Sequence, residues 1–262
     1  MRNFIGNNII RNIKMKKEVD IFIPCSVDQF CPNVGRDLID LVKSLGFKVN
    51  YNENQTCCGR TLYDNGNWDM AKEVGEKFID DFKGTNLIVG CSTSCIGYIK
   101  TKFANLFHNT SNHNSQKSLA QRIMDITEFI HSIRPDCDLG VEFPFKVYLH
   151  NNCHAANEYN LTEETQLILS KVKGLTLVNK DDFNSSCCCG WASGLEIYNK
   201  PLSDELSRRK VESALSMGAE YITSTDAACL LKIQNYIDKH SIDLKTIHIV
   251  SLLRYSAVNH NE

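Results

Sequence analysis

The sequence predicts an α/β protein of two pseudo-equivalent repeats, each with a parallel sheet and cysteine clusters at the carboxyl ends of its strands. Three observations carry this expectation. A Cys-Cys-Gly triplet occurs twice, at Cys57-Cys58-Gly59 and Cys188-Cys189-Gly190, 131 positions apart. Two more cysteines keep step with each triplet: Cys25 matches Cys153 at an offset of 128, and Cys95 matches Cys229 at an offset of 134. Four cysteines recurring in order with so little drift mark an internal duplication. Finally, apolar runs of strand length alternate with helix-length amphipathic segments through both copies. Such alternation builds Rossmann-like parallel sheets with right-handed crossovers.

The elements follow in the same order in each half. VDIFIPC (19–25) and FKVYLHNNC (145–153) are apolar, β-branched runs that read as buried strands ending at the first cysteine. VGRDLIDLVKSLG (34–46) places Leu38, Leu41, Val42 and Leu45 on one helical face, and LTEETQLILSKVKG (161–174) is its counterpart. Both helices end in Lys and then Gly, a stop signal. Short strands FKVNY and LTLVN follow, and then the Cys-Cys-Gly loops. Helices are expected near 67–83 and 203–217, then strands NLIVG (86–90) and EYITS (220–224), with Cys95 and Cys229 opening the next helices. Residues 107–144 form the joint, with one helix near 118–134. The chain is therefore divided into an N-terminal extension (1–17), a first repeat (18–137) and a second repeat (138–262). Met15 is an alternative start, because the first clear strand begins just after Lys17.

Composition narrows the function. With 262 residues the chain is long enough to bury a core without disulfide staples. A net charge of −2 offers no basic surface for nucleic acid or an anionic membrane. No apolar run approaches the ~18 residues of a membrane span, and the N-terminus lacks a signal-peptide core. A cytoplasmic location is expected. There the twelve cysteines would stay reduced, as metal ligands or redox groups. The sequence has no Gly-x-Gly-x-x-Gly, P-loop, Gly-x-Ser-x-Gly or His-Glu-x-x-His motif.

In each half, four thiols come from three separated loops: Cys25, Cys57, Cys58 and Cys95, then Cys153, Cys188, Cys189 and Cys229. Strand ends of an open α/β sheet are where such loops converge. Four converging thiolates suit iron–sulfur clusters, with zinc as the alternative. Zinc sites usually pair their ligands in Cys-x2-4-Cys knuckles. Only Cys91-x3-Cys95 resembles one, and it has no counterpart in the second half. A Gly after each pair lets backbone amides approach cluster sulfides. Cys31 and Cys137 read as small buried hydrophobes. Cys91 and Cys187 stand open between spare thiols and further ligands. His154, Arg60 and Trp191 neighbour the cysteines and are candidates only for shaping or tuning the pocket.

On these cysteines, over residues 19–258, the chain resembles the cysteine-rich, or CCG-domain, proteins. These include the lactate utilization protein A group, the glycolate oxidase iron–sulfur subunit and the cysteine-rich subunit of heterodisulfide reductase. It is most similar to the stand-alone lactate utilization subunits, since no ferredoxin-type Cys-x2-Cys-x2-Cys run is added. The resemblance implies an electron-transfer subunit of an oxidoreductase complex that oxidises L-lactate to pyruvate, holding 4Fe-4S clusters on the eight cysteines. It also implies a ferredoxin-like iron–sulfur partner, a further lactate utilization subunit, and peripheral membrane association through the complex. Cys91-x3-Cys95 and the single Cys229 depart from the family's Cys-x-x-Cys ending. That departure weighs against noncubane chemistry. A disulfide-reductase-type subunit with a noncubane cluster and a zinc-bound structural protein are the two other readings.

Overall fold

The computed structural model describes residues 17–179, 188–191 and 194–258. Two four-stranded sheets form, and every strand pairing in them is parallel. The first has the order β2-β1-β3-β4, from β1 (Glu18–Phe22), β2 (Lys48–Tyr51), β3 (Leu87–Gly90) and β4 (Ile123–Asp125). The second repeats that order as β6-β5-β7-β8, from β5 (Lys146–Leu149), β6 (Thr176–Leu177), β7 (Tyr221–Ser224) and β8 (Lys245–His248). This is the α/β architecture of two Rossmann-like repeats. In both sheets the first strand sits centrally, so its carboxyl end opens between crossing loops.

The helices of the first half are α1 (Cys25–Phe30), α2 (Pro32–Ser44), α3 (Arg60–Asp64), α4 (Trp68–Asp81), α5 (Thr93–Thr101), α6 (Phe103–Phe107), α7 (His113–Arg122) and α8 (Ile126–Ile133). The second half has a π-helical turn (Ala155–Tyr159), then α9 (Glu163–Ser170), α10 (Leu195–Tyr198), α11 (Lys200–Ser216), α12 (Ala227–Lys239) and α13 (Ile249–Val258). The α2 helix starts on Pro32, whose missing N–H costs nothing in a first turn. It buries Val34, Leu38, Leu41 and Val42, the face its spacing requires.

Two expected elements differ. The segment 118–134 is not one helix: β4 interrupts it between α7 and α8, because Ile123–Asp125 pairs with Ile88–Gly90 of β3. The helix expected over 161–174 is confined to Glu163–Ser170. The residues after it instead pair with the segment that leads into β5: Lys173 donates its N–H to Val141 O, and its own carbonyl accepts from Phe143 N–H.

The repeats share a core. Val19 and Ile21 of β1, Leu38 of α2 and Phe129 of α8 lie in one apolar cluster with Val147 and Leu149 of β5, Leu169 of α9 and Leu252 of α13. The α13 helix ties to α2 by Ser251 Oγ donating to Asp37, and Arg254 lies 3.8 Å from Asp40. Each sheet also packs a second cluster, the first of which takes in Tyr159 and Leu161 of the second half. In the first, Phe22 meets Phe78 edge-on at 5.0 Å and Phe82 at 5.9 Å.

The two halves also meet by hydrogen bonds where α5 and α12 begin. Thr93 N–H donates to Thr225 O, and the Thr93 and Thr225 hydroxyls lie 3.0 Å apart. The Asn152 amide donates to both hydroxyls, at 2.6 and 3.2 Å. All three residues are buried, so these polar groups are satisfied across the boundary between the halves. That fixes the carboxyl edges of the two sheets face to face.

Candidate metal centre

Each cysteine is placed by the element it adjoins. Cys25 is the first residue of α1, one turn past the end of β1. Cys57 and Cys58 lie between β2 and α3, and Cys95 is in the first turn of α5. Cys153 lies between β5 and the π-helical turn, Cys188 and Cys189 precede Gly190, and Cys229 is in the first turn of α12. All eight line one cavity of about 490 Å³ between the two halves. All are free thiols. Cys58, Cys95, Cys189 and Cys229 are buried, whereas Cys25 reaches the surface.

The two quartets carry the same string of sulfur contacts. Cys25 Sγ lies 3.6 Å from Cys57 Sγ, and the Cys58 thiol hydrogen-bonds to both Cys57 and Cys95. In the second half Cys153 bonds to Cys188, Cys188 to Cys189 and Cys189 to Cys229.

The glycines hold this geometry. Gly59 (φ +83°) turns its N–H onto Cys57 Sγ at 3.4 Å, and Gly190 (φ +94°) turns its N–H onto Cys188 Sγ at 3.3 Å. Each amide thus points at the sulfur two residues back. Positive φ favours glycine at both positions, but Gly190 has a second reason: a Cβ there would lie 2.3 Å from Ser203 O. The α11 helix presses on this loop, with Ser203 Oγ donating to Gly190 O and Ser207 Oγ to Cys189 O, both at 2.8 Å.

The thiols hold their protons unequally. Hydrogen bonds from Cys25 and Cys58 pull Cys57 down to about 3, with the Gly59 and Cys58 amides adding to them. Those same bonds, with burial, push Cys25 and Cys58 well up. Cys153 and Cys189 are likewise pushed up by their bonds to Cys188 and by burial. At Cys229 the Cys189 bond pulls down, but burial and Asp226 outweigh it. Crowded, buried thiols of this kind ionise together only when a multivalent cation takes up their charge. An all-sulfur donor set with amides aimed at its sulfurs fits such a cation, whether iron in an iron–sulfur cluster or zinc.

Between the quartets stands Arg60, which is buried rather than at the pocket mouth. Its Nε donates to Asp64 at 3.0 Å, and Nη1 to Ser94 O at 2.6 Å and to Glu158 at 2.9 Å. Its Nη2 donates to Glu158 at 3.2 Å and lies 2.8 Å from His154 Nδ1. Burial opposes the guanidinium's charge, but Glu158 and Asp64 overcome it and hold the pKa above its ordinary value. Burial pushes Glu158 up, yet His154 and Arg60 hold it at about 2. The charge of Arg60 reaches Cys95 of the first quartet and Cys153 of the second.

Other cysteines lie elsewhere. Cys91 is buried in the shared core and does not line the cavity. Cys137 is buried with Sγ 3.5 Å from His131 Nδ1, and Cys31 packs against the core. Cys187 and the N-terminal segment through residue 16, with Met15, lie outside the described residues. Phe30, Trp191 and Ile197 stand exposed at the cavity rim.

Sequence reasoning missed His150. It is fully buried, lines the cavity, and one of its ring nitrogens comes within 4.8 Å of Cys189 Sγ and Cys229 Sγ. Overlaying the repeats at the Cys25–Cys153 offset would have singled it out, since it falls on Phe22.

A model of the CCG cysteine-rich domain matches residues 19–100 and again residues 147–234. Lactate utilization protein A from Bacillus thuringiensis is 31% identical over 240 residues, covering 90% of this chain and 98% of its own. Proteins of that name from Bacillus cereus and Bacillus anthracis match to the same extent. A Yersinia pestis crystal structure, described as an Asp/Glu racemase, is 12% identical with a TM-score of 0.36, covering 93% of this chain and 98% of its own. The two matched segments hold all eight cavity cysteines, and the chain belongs to the CCG cysteine-rich domain family.

Proposed function

We propose that this chain is an iron–sulfur electron-transfer subunit of a complex that oxidises L-lactate to pyruvate. The observation that carries the reading is the matched string of sulfur contacts in the two quartets, facing one cavity. Cys25, Cys57, Cys58 and Cys95 would hold one 4Fe-4S cluster, and Cys153, Cys188, Cys189 and Cys229 a second. Such clusters supply one-electron transfer at a potential set by burial and by hydrogen bonds to sulfur. The Gly59 and Gly190 amides and the buried Arg60 are among the described groups that favour negative charge there. The relatives' shared name, lactate utilization protein A, supports the substrate.

In this reading a ferredoxin-like subunit and a further lactate utilization subunit are the partners. Cys25 reaches the surface beside Phe30, which is 69% exposed, so an apolar rim surrounds the point nearest a docked donor. No helix among the described residues is long and apolar enough to cross a membrane. We assign the complex to the cytoplasm, and the two repeats to residues 18–137 and 138–262.

Iron, acid-labile sulfide and zinc measured on one anaerobic sample, with spectra before and after dithionite, test the reading. About four irons and four sulfides per quartet, with absorbance that bleaches, are expected. A colourless protein holding zinc without sulfide overturns it. Zinc is the second reading because of one distance: the 3.6 Å between Cys25 and Cys57 sulfurs is near the ~3.8 Å edge of a tetrahedron built on Zn–S bonds of ~2.3 Å.

A further inference from the structure

The two quartets do not have the same surroundings. Where the first half has Phe22, turned into an aromatic cluster against Phe78 and Phe82, the second half has His150. The residue directly follows β5, and its main-chain N–H donates to Thr223 O at 2.7 Å, so the sheet fixes its Cα beside the cavity. Its ring shares a buried space with Cys189 and Cys229, the three donor atoms all within 4.8 Å of one another.

We propose that His150 is a metal ligand of the second site, which therefore has a mixed sulfur–nitrogen donor set while the first is all sulfur. This rests on the reading that the quartets hold metal. The distances allow it: three donors no more than 4.8 Å apart lie at most about 2.8 Å from a common centre, a small closure away from Zn–S of ~2.3 Å and Zn–N of ~2.0 Å. Imidazole is also a ready ligand for iron. His150 would take the place of one of the quartet's four thiolates at an iron, and a neutral nitrogen there would lower the negative charge at the site and raise an iron–sulfur potential. Lys210 beside Cys229 acts in the same direction, and Asp226 beside Cys229 opposes it. A cluster held there would be the more easily reduced of the two.

The test uses the full chain labelled with 15N-histidine, purified without oxygen, reduced with dithionite and read by pulsed EPR for 15N hyperfine coupling. Coupling is expected in the native sequence and in His154→Phe, and is lost in His150→Phe. A native chain with iron and sulfide at both quartets but no coupling overturns the proposal, as does coupling that survives in His150→Phe. If His150→Phe does not fold, unlabelled His150→Gly with added 15N-imidazole replaces it. Coupling restored by the imidazole supports the proposal, and its absence overturns it. A chain without iron or sulfide fails the cluster reading alone. The same labelled protein loaded with Co2+ then reports histidine nitrogen, and coupling there, lost in His150→Phe, still supports His150 as a ligand, whereas none overturns it.

Discussion

Ser92 Oγ donates a hydrogen bond to Asp226 Oδ2 at 2.9 Å, and the two residues occupy the same position in the two repeats. Each is the N-cap of the helix that carries its repeat's last cysteine: Ser92 accepts from Cys95 N–H and Asp226 from Ala228 N–H. Asp226 also accepts from Ser94 N–H at 3.2 Å, so one buried carboxylate serves both helix starts. Replacing it leaves donors of both halves without a partner. We expect Asp226→Ala to lower unfolding free energy by about 3 kcal/mol, from a lost cap and unsatisfied buried donors. Urea denaturation reads this, and Asp226→Asn should lose less.

The matched glycines should not tolerate the same substitution equally. An alanine Cβ at position 190 would sit 2.3 Å from Ser203 O, and at position 59 it would sit 3.3 Å from Ala71 O. Positive φ costs each variant roughly 1 kcal/mol. Only Gly190→Ala must also move α11, whose hydroxyls hold the Cys189 and Gly190 carbonyls. Metal analysis should show Gly190→Ala losing the metal of the second quartet, about half the total, while Gly59→Ala keeps most of the first. Equal losses would show that α11 gives way.

Much of this site was legible because the cysteines keep register. A repeat offset that drifts from 128 to 134 places all eight on equivalent strand ends and helix starts. What the sequence hid is non-local. The three residues of β4 show no strand period between two helices; β3 alone makes them a strand. Arg60 follows Gly59 in an ordinary local context, yet its carboxylate partner Glu158 is 98 residues away. His150 sits in an apolar run where one polar residue reads as a strand end. Its chemistry appears only when Cys189 and Cys229 come round from other loops.

Arg60 predicts an interaction that a point charge cannot replace. Its guanidinium bonds Asp64 and Ser94 O in its own half and Glu158 in the other. The Arg60 and Glu158 side chains are only 11% and 21% exposed, so losing one strands the other. We expect Arg60→Ala to cost about 3 kcal/mol, and Arg60→Lys to recover less than half, because lysine lacks the planar fork. Thermal unfolding of Arg60→Ala, Glu158→Gln and the double variant gives the coupling. A double variant no less stable than Arg60→Ala identifies the stranded carboxylate as the main cost, whereas additive losses would mean that the two side chains act separately.

The fourth strands end in two buried titratable groups at matching registers: Asp125 opposite Gly90, and His248 opposite Ser224. Burial raises Asp125 to about 7, against the opposing bonds from Thr127, and lowers His248 to about 4. The signs are opposite. Between pH 4 and 7 folded Asp125 keeps a proton that the unfolded chain has released, so its effect on stability falls as pH rises through that window. Folded His248 stays neutral where the unfolded chain is protonated, so stability falls as pH drops from 6.5 towards 4. Asp125→Asn keeps an oxygen for the Thr127 donors and has nothing to ionise. We expect it to remove the loss above pH 5, a gain of order 2–4 kcal/mol at pH 8 and little at pH 4. His248→Gln should flatten the acid side and leave the alkaline side unchanged. Urea midpoints at pH 4, 6 and 8 for the three proteins separate the two groups, and a wild-type slope that survives in Asp125→Asn would place the alkaline loss on another residue.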